Sequence, residues 1–142
     1  MIFSKVQREN IVQRIDFIRL QLADLQELGG LNWQTYNTDR HAQRDIERLI
    51  ENVANAAIDI AKIVLVGEDI EMPNGYKDII LKLGQAGVLD DKLARTMSEY
   101  AMLRNFLAHQ YLDLKWEKIK DFIKNAPVVV AGYIEAVKNK LG

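Results

Sequence analysis

The apolar residues of this chain recur at a spacing that suits helices. Between residues 11 and 25 they fall at Ile11, Ile15, Ile18, Leu22 and Leu25. Steps of four and three keep them on one helix face. A second run is more regular still, with Ala42, Ile46, Leu49, Val53, Ala56, Ile60 and Ile63. No segment alternates convincingly with period two. Helices with a single apolar stripe must bury it against other helices, so the chain is constrained to an all-α, antiparallel helical bundle.

Local signals set the boundaries. Ser4 with Gln7 three residues on reads as a capping box, and Gly29-Gly30 stops the first helix. Thr38 or Asp39 caps the second and Gly67 ends it, which predicts helices near 4–28 and 39–66. The stretch from Glu68 to Gly75 holds Pro73 and the turn-forming pair Asn74-Gly75. A short helix near 76–86 follows, closed by Gly87. Asp90-Asp91 caps a fourth that turns Leu93, Met97, Tyr100, Leu103 and Leu107 inward. Asp113 caps a fifth, from Lys115 towards Leu141. Pro127 lies inside it and removes an amide donor, so a kink or a restart is expected near Asn125. The expectation is about five helices in a single domain, 1–142. The small residues Ala54, Ala57 and Ala61 form a second stripe on the 39–66 helix. They serve either a partner chain or close packing within this one.

The 142-residue chain needs no disulfide or metal to stabilise its core. It has no cysteine, which excludes a thiol nucleophile and a zinc-thiolate site. No apolar run approaches the roughly 20 residues of a membrane span, and no leader-like run follows Met1. A cytoplasmic location with no membrane partner is expected. The net charge of −1 means that any contact with nucleic acid must use a local patch.

Reactive side chains concentrate in Arg104-Asn105-Phe106-Leu107-Ala108-His109-Gln110-Tyr111, which holds one of two histidines in the chain. Glu-x-x-His pairs, a His-Glu-x-x-His motif and phosphate-binding glycine loops are missing from the sequence. Neither Ser4 nor Ser98 has a histidine nearby in sequence. RNA, however, carries its own nucleophile, the 2′-hydroxyl beside each phosphate. A protein need only move protons, a task for His109, and stabilise charge on the phosphate, a task for the planar fork of Arg104. Neither a metal nor a cofactor is implied. The products would be a 2′,3′-cyclic phosphate and a 5′-hydroxyl.

Five residues advance a helix by about 500°, which leaves Arg104 and His109 about 140° apart. Asn105 and His109, four apart, share a face. Two arrangements unite the pair. The helix can end around Ala108 and let His109 swing back, or two protomers can share one cleft across a two-fold axis. Tyr111, two residues beyond His109, points the same way only in extended backbone.

The run from Leu103 to Tyr111 resembles the Arg-x4-His-x-Tyr motif of the HepT toxins in the HEPN superfamily. The likeness extends to Tyr76-Lys77-Asp78-Ile79 through Gly87-Val88-Leu89, to Ile58-Asp59-Ile60-Ala61, and to Trp116 and Pro127. It implies a HEPN-like homodimer with two motifs in one cleft, acting as a metal-independent endoribonuclease toxin. Arg104, Asn105 and His109 would then be catalytic. It also implies a minimal nucleotidyltransferase antitoxin as partner, which silences the toxin by transferring AMP to Tyr111. The added charge and bulk would occupy the space of RNA phosphates. The alternative is a non-catalytic nucleotide-binding or interaction module acting with that nucleotidyltransferase.

Arg40, Arg44 and Arg48, four apart, are possible RNA contacts. Otherwise they form a solvated face balanced by Asp45, Glu47 and Glu51. Asn52, Asn55 and Asp59 either bound the cleft, orient Arg104, or are satisfied polar groups without a role. Tyr100 and Trp116 read as core residues.

Overall fold

The computed structural model describes residues 3–109 and 111–142. Met1, Ile2 and the motif residue Gln110 lie outside them. The described residues contain six helices and no strand: α1 (Lys5–Glu27), α2 (Trp33–Thr38), α3 (Arg40–Gly67), α4 (Tyr76–Gln85), α5 (Asp91–His109) and α6 (Leu112–Leu141). No helix among them is long and apolar enough to cross a membrane.

The predicted caps form. Ser4 Oγ accepts from the Gln7 amide at 3.1 Å while Gln7 Oε1 accepts from the Ser4 amide at 2.9 Å. Asp39, rather than Thr38, caps α3 by accepting from the His41 and Ala42 amides. Asp90 caps α5 through the Leu93 amide at 2.8 Å. Helices α3 and α4 end alike. The Ile70 amide reaches back to the Leu65 carbonyl, and that of Val88 to the Leu83 carbonyl, both at 2.9 Å. The reversal puts Asp69 at φ 55° and Gly87 at φ 78°, left-handed values that glycine takes freely and aspartate tolerates.

Three expectations are corrected. Helix α2 makes six helices rather than five; Asn32 caps it, and it packs through Tyr36. The Tyr36 ring stacks on Trp116 at 5.5 Å, and its hydroxyl donates to Glu47 at 3.1 Å. Burial, and then the Glu47 carboxylate, push the Tyr36 phenol well above its ordinary range. The last helix begins at Leu112, not Lys115, and Tyr111 rather than Asp113 is its N-cap residue. It runs on through Pro127 with no restart at Asn125. The buried positions Phe122, Ala126, Val130, Tyr133 and Val137 keep helical spacing past the proline, whose ring faces solvent. Packing of that stripe offsets the roughly 3 kcal/mol that an interior proline costs.

Helix α3 is the axis of the bundle and touches all five others. Ala54, Ala57 and Ala61 are all buried within the chain, so the small stripe serves close internal packing. One consequence is that the Tyr133 hydroxyl of α6 donates to the Ala57 carbonyl at 2.7 Å. Arg14 pairs with Asp59 at 3.6 Å and Gln21 accepts from Asn52 at 3.3 Å, which sets α1 antiparallel to α3. Helices α4 and α5 lie close together, since a Cβ at Gly84 would stand 2.7 Å from the Ala94 Cβ.

Candidate active site

The motif occupies the C-terminal turns of α5 and the corner into α6. Leu103 and Leu107 are buried and hold this end of α5 in the bundle. Between them Arg104 is half-buried against α3 and α4. Its Nη1 donates to Asn55 Oδ1 of α3 at 2.8 Å. Its guanidinium carbon stands 5.2 Å from the centroid of the Tyr76 ring at the start of α4. Lys62 approaches the same ring, its Nζ 5.3 Å from the centroid. Of the three polar α3 residues Asn52, Asn55 and Asp59, Asn55 is therefore the one that orients Arg104. Asn52 and Asp59 are turned to α1 instead.

The electrostatics of this arrangement matter more than its strength. An amide oxygen and an aromatic face are neutral partners. Among the described residues no carboxylate pairs with Arg104. The guanidinium is held in place while its charge is left uncompensated, a state suited to meeting a phosphate.

Helix α5 ends at His109, one residue from the expected end around Ala108. With His109 still helical, the separation of about 140° from Arg104 stands on that helix. Asn105 and His109 are both exposed on their shared face. A cationic histidine in the last turn interacts favourably with the helix dipole. Tyr111 has extended backbone (φ −74°, ψ 157°). Tyr111 is 83% exposed. Arg104 and His109 thus belong to one motif but leave its helix on different sides.

Arg40, Arg44 and Arg48 are exposed. Arg48 pairs with Glu51 at 3.8 Å, and an Arg44 nitrogen lies 3.3 Å from His41 Nδ1. Glu47, expected as a balancing partner, instead bonds Tyr36 and Lys115. Arg48 and Arg44 lie seven and eleven residues before Asn55, within about 20° of its direction around α3. Tyr76 and Lys62 were missed as site residues. Their link to Arg104 is a contact between separate helices and has no periodic signal.

A family model described as "Ribonuclease HepT-like" matches residues 18–137. The tRNA nuclease HepT of Aphanizomenon flos-aquae is 27% identical over 106 residues, covering 73% of this chain and 71% of that protein. A toxin–antitoxin crystal structure with AMP-PNP aligns with a TM-score of 0.83 at 18% identity, covering 92% of this chain and 98% of that one. The tri-AMPylated Shewanella oneidensis HEPN toxin in complex with MNT antitoxin aligns with a TM-score of 0.81 at 18% identity, covering 92% and 97%. At that identity the likeness establishes a shared helical fold. The family match spans most of the bundle, including every residue from Asn55 to Tyr111 discussed above, and this chain belongs to the HepT-like ribonuclease family.

Proposed function

We propose that the protein is a metal-independent endoribonuclease toxin that acts as a homodimer in the cytoplasm. The observation that carries this reading is the Arg104 guanidinium, held by Asn55 and Tyr76 without a neutralising carboxylate. Family membership and the tRNA nuclease relative support it. Because Arg104 and His109 diverge on one helix, the working site is composite, with motifs from two protomers facing one scissile phosphate.

In that site the 2′-oxygen attacks phosphorus as His109 takes up or relays its proton. Arg104 stabilises the charge developing on the phosphoryl oxygens. Asn105, on the His109 face, positions the substrate. The phosphorus–O5′ bond breaks and the 5′-oxygen takes the proton that His109 relays from the 2′-hydroxyl, giving the cyclic phosphate and a 5′-hydroxyl end. The exposed Arg48, Arg44 and Arg40 extend a cationic track along α3 for neighbouring phosphates. Tyr111 is the target of a minimal nucleotidyltransferase antitoxin, whose AMP group would block that phosphate path. The toxin–antitoxin and AMPylated neighbours of the same fold support this regulation.

The test is RNA cleavage by the purified dimer in the presence of EDTA. His109→Ala should lower the rate by about 10²–10⁴-fold, the range for a lost acid–base group. Cleavage that EDTA stops and His109→Ala retains overturns the mechanism. The exposure of Tyr111 also favours a second reading, a non-catalytic module that binds nucleotide or presents this residue to its nucleotidyltransferase. A mass gain of AMP on Tyr111 in a protein that cuts no RNA would select it.

A further inference from the structure

Away from the face that holds Arg104, α5 and α6 enclose a groove of about 230 Å³, lined by Glu99, Tyr100, Met102 and Phe106 of α5 with Lys118 and Asp121 of α6. It is smaller than the roughly 300–1,000 Å³ of sites for drug-sized ligands. Three features give it chemistry. The Tyr100 hydroxyl is sealed from water and has no hydrogen-bond partner, in a residue only 5% exposed. Leaving such a group unmade is unfavourable by itself. Phe106 is half-buried, and the Lys118 ammonium stands 5.8 Å from its ring centroid. Glu99 and Asp121 supply acceptors; one Asp121 oxygen takes a bond from Asn125 at 2.7 Å, leaving the other oxygen to a ligand.

The charges select the occupant. Two carboxylates against one ammonium leave the groove net negative, so it repels a phosphate. An aromatic face, a hydroxyl donor and carboxylate acceptors suit a neutral flat ring with amine hydrogens. Burial, then Asp121 and Glu99, push the Tyr100 phenol far above its ordinary range and keep it a donor. The position is also telling. Phe106 precedes His109 by three residues, about 4.5 Å of helix rise on the same side of α5. Lys118 lies seven residues beyond Tyr111, about two turns into α6. The groove therefore leads up to the corner that carries His109 and Tyr111.

We propose that this groove is a subsite for one RNA base beside the cleaved phosphate, and that it prefers bases with an exocyclic amine over uracil. The inference rests on the ribonuclease reading for the identity of the polymer. The base stacks on Phe106 and its amine donates to Glu99 or Asp121; a turn of the Tyr100 ring that opens its hydroxyl to the groove then lets a ring acceptor take it. Lys118 at the rim meets the attached phosphate. Uracil, whose one ring donor is flanked by two carbonyls, sets those carbonyls against the carboxylates.

The test uses fluorescence anisotropy with labelled pentamers of adenylate, cytidylate and uridylate on the full-length His109→Ala protein, which leaves them uncut. The adenylate and cytidylate pentamers should bind more tightly than uridylate. Adding Phe106→Ala should weaken them about 5- to 140-fold, the range of a lost base–aromatic stack, while Phe106→Trp retains binding. Glu99→Gln with Asp121→Asn should erase the preference over uridylate. Unchanged affinity in the Phe106→Ala protein, or uridylate binding as tight as adenylate, overturns the proposal. The two readings fail separately. A wild-type protein that shows the base preference but cuts no RNA keeps the groove and removes the nuclease. One that cuts RNA equally well with Phe106→Ala keeps the nuclease and removes the groove.

Discussion

Replacing Asn55 tests whether Arg104 is held without being neutralised. Asn55→Ala deletes the acceptor 2.8 Å from Arg104 Nη1. A hydrogen bond to a charged group contributes about 1.5–3 kcal/mol. This one is only part-buried, and water can replace the lost acceptor, which brings the expectation down to about 1 kcal/mol. A double-mutant cycle with Arg104→Ala, read by urea unfolding, should give a coupling of about that size. Activity should fall further than stability. A guanidinium released from its station loses orientation, and a misplacement of about 1 Å can cost about 100-fold in rate. We expect kcat for RNA cleavage to drop about 10- to 100-fold in Asn55→Ala. Asn55→Asp separates the two effects. It keeps an acceptor in place and adds a charge, so stability should match or exceed the wild type. It also neutralises Arg104, so cleavage should stay depressed and KM should rise. Wild-type cleavage by Asn55→Asp, or a coupling indistinguishable from zero, refutes the argument.

Three further outcomes test the scaffold. Gly84→Ala should destabilise the protein by about 1–3 kcal/mol in urea melts despite the better helix propensity of alanine, because the new methyl would stand 2.7 Å from the Ala94 Cβ; a stabilised variant would show that α4 and α5 separate easily. Tyr133→Phe removes the bond to the Ala57 carbonyl and should lower stability by about 1 kcal/mol, whereas Tyr133→Ala should lower it by about 3–5 kcal/mol through the cavity it leaves. Stability should also fall at alkaline pH. Burial raises the Tyr36, Tyr100 and Tyr133 phenols above their ordinary 10.0, so above that pH the unfolded chain releases these protons first. Each phenol then contributes a loss of about 1.4 kcal/mol per pH unit, and the loss begins near pH 10. A flat urea midpoint from pH 9 to 11 would contradict the burial of all three.

Periodicity made most of the bundle legible because burial acts on a helix face. The stripes of α1 and α3, the Ser4, Asp39 and Asp90 caps and the stop at Gly87 are local matters, and local pattern reported them. Helix α2 escaped because six residues carry less than two turns of pattern. Its stability comes from Tyr36 lodged between α3 and Trp116 of α6, a contact 80 residues away in sequence. The restart expected at Pro127 is absent for the converse reason. Its local penalty is real, but the buried stripe on both sides of it outweighs that penalty once the core exists.

The candidate site divides along the same line. Residue types and spacing pointed to Arg104 and His109 as a candidate reactive pair, and the family resemblance added Asn105 and Tyr111. The helical repeat alone also placed Arg104 and His109 on different sides. Only the tertiary structure decided what each side faces. Arg104 meets Asn55 of α3 and Tyr76 of α4, 49 and 28 residues distant in sequence. Phe106 lines the groove that α6 closes, and His109 is exposed. Such contacts depend on which helices become neighbours, and that is settled by packing of whole apolar faces rather than by the order of residues within any one of them.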